Sequence, residues 1–166
     1  MNALAVTQIS PKEYAAQFDS ISLCLSKGLG APVGSLLLGT KDFIKKSRRV
    51  RKVFGGGMRQ AGFLAAGGLF ALKNNVDRLK DDHRRAKQLE VAVKDLSWVK
   101  EVVPVETNIV VIILKEANKR DFYIQQLKEK GVITVAFGDG MIRMVTHLNI
   151  TDEDIDITCE IIRNVK

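Results

Sequence analysis

Apolar positions along this chain change their spacing several times, and each change marks an element. Ser10 before Pro11, followed by Lys-Glu-Tyr-Ala-Ala-Gln, supplies an N-cap, a proline at the first helical position and good helix formers, which predicts a short helix over 11–17. Residues 20–25 then read as a strand. A glycine-rich loop with Pro32 follows over 26–34, and 35–38 is a second short apolar strand ended by Gly39. Over 41–53 a helical period places Phe43, Ile44, Val50 and Val53 on one inward face of a basic helix, which stops at Gly55-Gly56-Gly57. From Met58 to about Leu96 the chain is rich in Ala, Leu and Lys and reads as helix, with a bend or restart at Asn74-Asn75.

Beyond that point the period shortens. Strands are predicted over 98–103 and 108–114 with Pro104 between them, then a helix over 119–130 closed by Gly131. Two more strands, 133–136 and 141–146, flank the turn Gly138-Asp139-Gly140. Thr151 caps a last helix whose first turn holds Asp152, Glu153 and Asp154, where acids suit the helix dipole. Residues from about 90 onward therefore form a small α/β unit, a sheet covered on one face by helices. The strand pair within 20–38 is different, because the forty residues around it offer no neighbouring strands. The first third reads as the edge of something larger.

Composition narrows the class without naming a function. The 166 residues are 46% hydrophobic with 3 prolines, which excludes long disorder. No stretch reaches the ~18 apolar residues of a membrane span, and Met1-Asn2-Ala3 lacks a basic leader, so a soluble, cytoplasmic protein is expected. Cys24 and Cys159 have no CxxC or Cys/His companions, which argues against a disulfide framework or a zinc site. Both are expected reduced, with Cys24 buried.

The net charge of +7 resides in one segment: residues 41–60 hold eight cations against Asp42, while the rest of the chain is balanced. Such a cluster can neutralise phosphates, so a non-catalytic module that binds anions or nucleic acid through 41–60 is the rival reading. Its only aromatics are Phe43 and Phe54, and no helix-turn-helix, zinc-finger or RNP-like pattern accompanies it. A solvated helix face accounts for most of these charges.

Lys27 directly follows an apolar strand and precedes Gly28-Leu29-Gly30-Ala31-Pro32-Val33-Gly34-Ser35. An ammonium at the end of a buried strand is poorly hydrated, which favours the neutral amine that attacks carbonyls, and the small residues after it leave room for a bulky group on that amine. A pyridoxal phosphate Schiff base makes that demand, and a lysine snorkelling out of a turn is the plainer alternative. A Walker loop is excluded because its lysine follows the glycines. A dinucleotide fingerprint is disfavoured because a strand, not a helix N-terminus, comes after Gly28, Gly30 and Gly34.

The run Ser22-Leu23-Cys24-Leu25-Ser26-Lys27-Gly28-Leu29-Gly30-Ala31-Pro32-Val33-Gly34-Ser35 resembles low-specificity L-threonine aldolase, a pyridoxal phosphate enzyme of the aspartate-aminotransferase fold. Gly55-Gly56-Gly57-Met58-Arg59-Gln60-Ala61-Gly62 and Arg143-Met144-Val145-Thr146-His147-Leu148 continue the match at the family's spacing from Lys27, almost end to end. The resemblance implies an α/β chain, the C-terminal part of a fold type I enzyme: the edge of the large cofactor-binding domain over 1–57, a linking helical region over 58–89 and the small C-terminal domain over 90–166.

It implies that Lys27 carries pyridoxal 5'-phosphate and that Arg143 binds the substrate carboxylate. Arg59, read as opening a helix after three glycines, reaches the cofactor phosphate across a subunit boundary, with Lys52 a second basic position near it. His147 is read as structural. The activity implied is cleavage of L-threonine and related 3-hydroxy amino acids to glycine and an aldehyde, in threonine breakdown and glycine formation, by a homodimer or homotetramer with no nucleic-acid or membrane partner.

Family members are roughly twice this length. Their ring-nitrogen Asp stands in a DGARxxNA run whose last two letters match Asn2-Ala3, which puts that Asp ahead of Met1; the phosphate cradle and the ring-stacking histidine belong to the same missing half. The chain thus reads as a C-terminal half beginning at an internal methionine, and as inactive alone.

Overall fold

The computed structural model describes residues 1–7 and 9–165. The chain divides into two compact units, residues 1–78 and 79–166.

The first unit opens with two one-turn helices, α1 (Asn2–Val6) and α2 (Pro11–Ala15), the second capped by Ser10 Oγ, which accepts from the Glu13 amide. Strands β1 (Ser20–Cys24) and β2 (Ser35–Gly39) pair antiparallel, Ser20 opposite Gly39 and Cys24 opposite Ser35. Helix α3 (Lys41–Val53) follows the cap Thr40, and α4 (Gly62–Asn74) follows the glycine run. Among the described residues of this unit, only Leu25, Leu29, Ala31 and Ala71 are buried apolar side chains.

Two expectations of burial fail in this unit, those for the α3 face and Cys24, for one physical reason, a sheet of two strands that gives little to pack against; the exposure of β2 agrees with a strand pair that lacks neighbours. All five residues of β2 are exposed, including Leu36, Leu37 and Leu38. Of the expected inward face of α3, Ile44 alone is half-buried, while Phe43, Val50 and Val53 are exposed. Cys24 is half-buried rather than buried. Helix α4 also begins later than predicted, because Gln60 adopts a left-handed conformation (φ 50°) that no helical run can include.

The second unit is well packed. Helix α5 (Leu79–Val93) leads into a four-stranded antiparallel sheet of order β3-β4-β6-β5, made of β3 (Val99–Val102), β4 (Ile109–Leu114), β5 (Val135–Ala136) and β6 (Met141–Val145). Helices α6 (Arg120–Glu129) and α7 (Asp152–Arg163) complete it. Alternation along the central strands sends Val110, Ile112 and Leu114 of β4 and Ile142 and Met144 of β6 to the helix-covered face, where they join Leu89, Val93, Leu127, Ile155 and Ile162 in one core. This is the expected small α/β unit with helices on one face. Thr151 and Asp154 form a full capping box at the start of α7.

Candidate functional site

Lys27 stands in a turn closed by the Gly30 amide, which donates to Lys27 O at 2.8 Å; Gly30 takes φ 69° to make it. The turn is fastened on both sides. The Leu25 amide donates to Gly34 O at 2.9 Å and the Ala31 amide to Leu25 O at 3.0 Å, and the side chains of Leu25, Leu29 and Ala31 are buried beneath it. Helix α4 backs this turn with glycines. A Cβ on Gly68 would lie 2.9 Å from Leu25 Cδ1, and one on Gly67 2.9 Å from Pro32 Cδ, so a side chain at either position requires Leu25 or Pro32 to shift. Asn75, just past α4, donates from Nδ2 to Leu29 O at 2.7 Å. The sequence signal for this backing was present as Gly67-Gly68 and Asn75, although glycine within a helix reads as weakness until its neighbour is known.

The Lys27 side chain is exposed, in contrast to the expected buried position, because β1 is itself only partly covered. The neighbouring Cys24 Sγ lies 3.6 Å from Ser26 Oγ, and hydrogen bonding from Ser26, with a smaller effect of the Lys27 charge, holds the thiol below its ordinary pKa.

Lys52 sits in the last turn of α3, where the chain reverses: the Gly55 amide donates to Lys52 O and the Gly56 amide to Arg51 O. Its side chain folds over Gly57, where a Cβ would lie 2.6 Å from Lys52 Cδ and 3.1 Å from Nζ. Arg59 is exposed in the bend before α4, not in that helix's first turn as expected. Lys27, Lys52 and Arg59 therefore share the first unit, and no hydrogen bond or ion pair joins them to each other or to an acid among the described residues.

Arg143 belongs to the second unit. It occupies the middle of β6, opposite Val111 of β4 and Val135 of β5, on the sheet face that the helices leave open. Its guanidinium carbon lies 5.3 Å from the centroid of the Phe137 ring, and its Nε is buried with no hydrogen-bond partner. His147 Nδ1 accepts from the Asn149 amide at 3.3 Å, a local structural contact. The adjacent Thr146 is fully buried, donating from Oγ1 to Asp82 O at 2.6 Å, while Asn108 Nδ2 donates to Thr146 O at 2.8 Å. Sequence reasoning missed Phe137, Asn75 and the Thr146–Asn108 clamp. Alternation along the hairpin alone puts Phe137 on the Arg143 face.

A profile of the beta-eliminating lyase family matches residues 1–117. The chain is 40% identical over 158 residues to probable low-specificity L-threonine aldolase 2 of Arabidopsis thaliana, covering 93% of this chain and 44% of that protein. It is 40% identical over 154 residues to low specificity L-threonine aldolase of Escherichia coli K12, covering 93% and 45%. Among solved structures, a putative L-allo-threonine aldolase from Listeria monocytogenes matches with TM-score 0.74 at 18% identity, over 96% of this chain and 48% of that one. An N-acetylornithine aminotransferase from Stenotrophomonas maltophilia matches with TM-score 0.63 at 22% identity, over 87% and 38%.

These likenesses define the fold as α/β of the pyridoxal phosphate fold type I class, as the sequence motifs implied. The chain belongs to the beta-eliminating lyase family, which is pyridoxal phosphate-dependent. It spans less than half the length of these curated relatives and matches their C-terminal part. The comparisons lend no support to the module that binds nucleic acid through 41–60. No helix among the described residues is long and apolar enough to cross a membrane.

Proposed function

We propose that these residues serve a pyridoxal phosphate-dependent aldolase that cleaves L-threonine and related 3-hydroxy amino acids to glycine and an aldehyde. The observation that carries this reading is 40% identity over 93% of the chain to proteins named low-specificity L-threonine aldolase. The donor set fits the cofactor. Lys27 offers an exposed amine with no ion-pair partner, held on a fastened turn whose following residues are small, as an aldehyde ligand of some bulk requires. Lys52 and Arg59 have no ion-pair partner among the described residues and are suited to a phosphate dianion.

When bound, pyridoxal phosphate supplies an electron sink conjugated to the amino acid's Cα, which permits scission of the Cα–Cβ bond. In this reading Lys27 Nζ would be the attachment point that holds the cofactor. Arg59 and Lys52 neutralise the phosphate. Arg143 clamps the substrate carboxylate, and the two terminal nitrogens of its guanidinium, which have no partner among the described residues and keep access to solvent, support that role. We assign 1–57 to the edge of the cofactor-binding domain, 58–89 to a linking region and 90–166 to the small domain. We further infer that the protein works in the cytoplasm as a homodimer or homotetramer, in threonine breakdown and glycine formation.

The test is a chimera in which residues 1–166 replace the matching C-terminal part of the Escherichia coli relative. It should release acetaldehyde and glycine from L-threonine. Borohydride reduction of the chimera with pyridoxal phosphate should label the Lys27 peptide, and Lys27→Ala should abolish both label and turnover. A folded chimera that binds the cofactor at another lysine, or binds it at Lys27 and leaves threonine intact, overturns the proposal.

A further inference from the structure

Residues 135–141 build a rigid support beside Arg143. Val135 pairs with Arg143 and Ala136 with Ile142, and the Phe137 amide donates to Met141 O at 2.9 Å, so Phe137 is the diagonal neighbour of Arg143 on the same face of the sheet. The turn beyond it is fastened from two other elements. Arg120 Nη1 donates to Gly138 O at 2.8 Å, and the Leu114 amide donates to Gly140 O at 2.9 Å. Gly140, at φ 62°, leaves no room for motion toward Ala117, whose Cβ would be 2.6 Å from an added Cβ. The Phe137 ring is thus presented by a fixed backbone, although the residue is 43% exposed.

The guanidinium that meets this ring is unevenly exposed. Its Nε is buried and makes no hydrogen bond, and the two terminal nitrogens, which also have no partner among the described residues, keep access to solvent. An arginine over an aromatic face is attracted by the ring quadrupole, and the attraction grows where water is excluded. An anion therefore cannot use the Nε side without displacing protein, and the terminal edge is the one left open.

We propose that Phe137 is a positioning residue: its ring holds Arg143 with Nε turned into the protein and the two terminal nitrogens presented end-on to a carboxylate. This rests on the reading of Arg143 as the carboxylate ligand, and it adds which edge is used and what sets it. Leucine at 137 would keep an apolar contact and lose the quadrupole, freeing the long arginine side chain to sample other rotamers.

The test uses phenylglyoxal, a dicarbonyl that condenses with the terminal guanidinium nitrogens, on the 166-residue protein at micromolar concentration. Modification of Arg143 is read by peptide mass spectrometry with acetate and with glycine as probes, and exposed Arg49 serves as the internal reference. In the unaltered protein both probes should protect Arg143 saturably and leave Arg49 unprotected. Phe137→Leu should need about fivefold more acetate for the same protection, and Phe137→Tyr should restore it, with circular dichroism unchanged in both. Equal protection of Arg143 and Arg49 in the unaltered protein overturns the carboxylate reading itself. Selective protection that Phe137→Leu leaves untouched, or that Phe137→Tyr fails to restore, overturns the positioning role and leaves that reading standing.

Discussion

Asp152 holds two arginines of α5 with a single carboxylate. Arg84 Nη2 donates to both its oxygens, at 2.8 and 3.0 Å, and Arg85 Nε donates to Oδ1 at 2.7 Å. The Arg85 and then the Arg84 hydrogen bonds keep this carboxyl below its ordinary pKa of 3.8, and the Thr151 amide and hydroxyl do the same for Asp154. A carboxyl depressed in the folded state contributes stability above the unfolded pKa and loses it as pH falls through the folded value. The second unit should therefore weaken on acidification below about pH 4. Asp152→Asn should lower its melting temperature at neutral pH, and the difference from the parent should close near pH 2, as followed by thermal unfolding at both pH values. An equal difference at both would assign the loss to packing instead. From the sequence Asp152 could be read as a helix-dipole acid, because that depends on three neighbouring residues. Its pairing with arginines about seventy positions earlier depends on how α5 and α7 meet, which no local pattern encodes.

At the scale of elements, periodicity gave most of what the structure contains where the element had a complete partner. The strands β3, β4 and β6, the helix α6 and the capped α7 fall within a few residues of their predicted ranges, because each has one buried face and an alternation or helical period that records it. The same reasoning failed for α3, whose apolar positions were assigned an inward face that this unit does not cover, and for the start of α4, where the left-handed Gln60 carries no compositional signal. The candidate site divides likewise. Lys27 and Arg143 are candidates that motifs alone single out, while the ring beside Arg143 and the glycine backing of the Lys27 turn needed three-dimensional neighbours. The β5–β6 turn permits a sharp check of that packing. Gly140→Ala forces a Cβ into Ala117 at an unfavourable positive φ, and should destabilise the second unit by about 2 kcal/mol in denaturant titrations. It should also blunt carboxylate protection of Arg143 by shifting Phe137. A variant as stable as the parent would mean that the turn relaxes freely.

For the molecule as a whole the two units differ in what they can sustain. Among the described residues the main apolar core lies entirely in the second unit, whereas the first exposes Leu36, Leu37 and Leu38 on a strand whose outer edge pairs with nothing described. Such an edge invites association, so limited proteolysis should cut the first unit before the second. Activity depends on the same imbalance. In the proposed reaction the electron sink works only with its ring nitrogen protonated, its phosphate fixed and a base near the β-hydroxyl, and groups that act as a unit are strongly non-additive. These residues supply an amine, two cations and a guanidinium, and they correspond to less than half of the curated relatives. We therefore expect the 166-residue chain, purified and mixed with pyridoxal phosphate and L-threonine, to release acetaldehyde no faster than free cofactor does. The chimera with the remaining part of the Escherichia coli relative should exceed that rate by several orders of magnitude. Turnover by the 166 residues alone at the rate of the chimera would mean that the base and the ring-nitrogen partner lie within this chain, and the assignment of those roles elsewhere would fall.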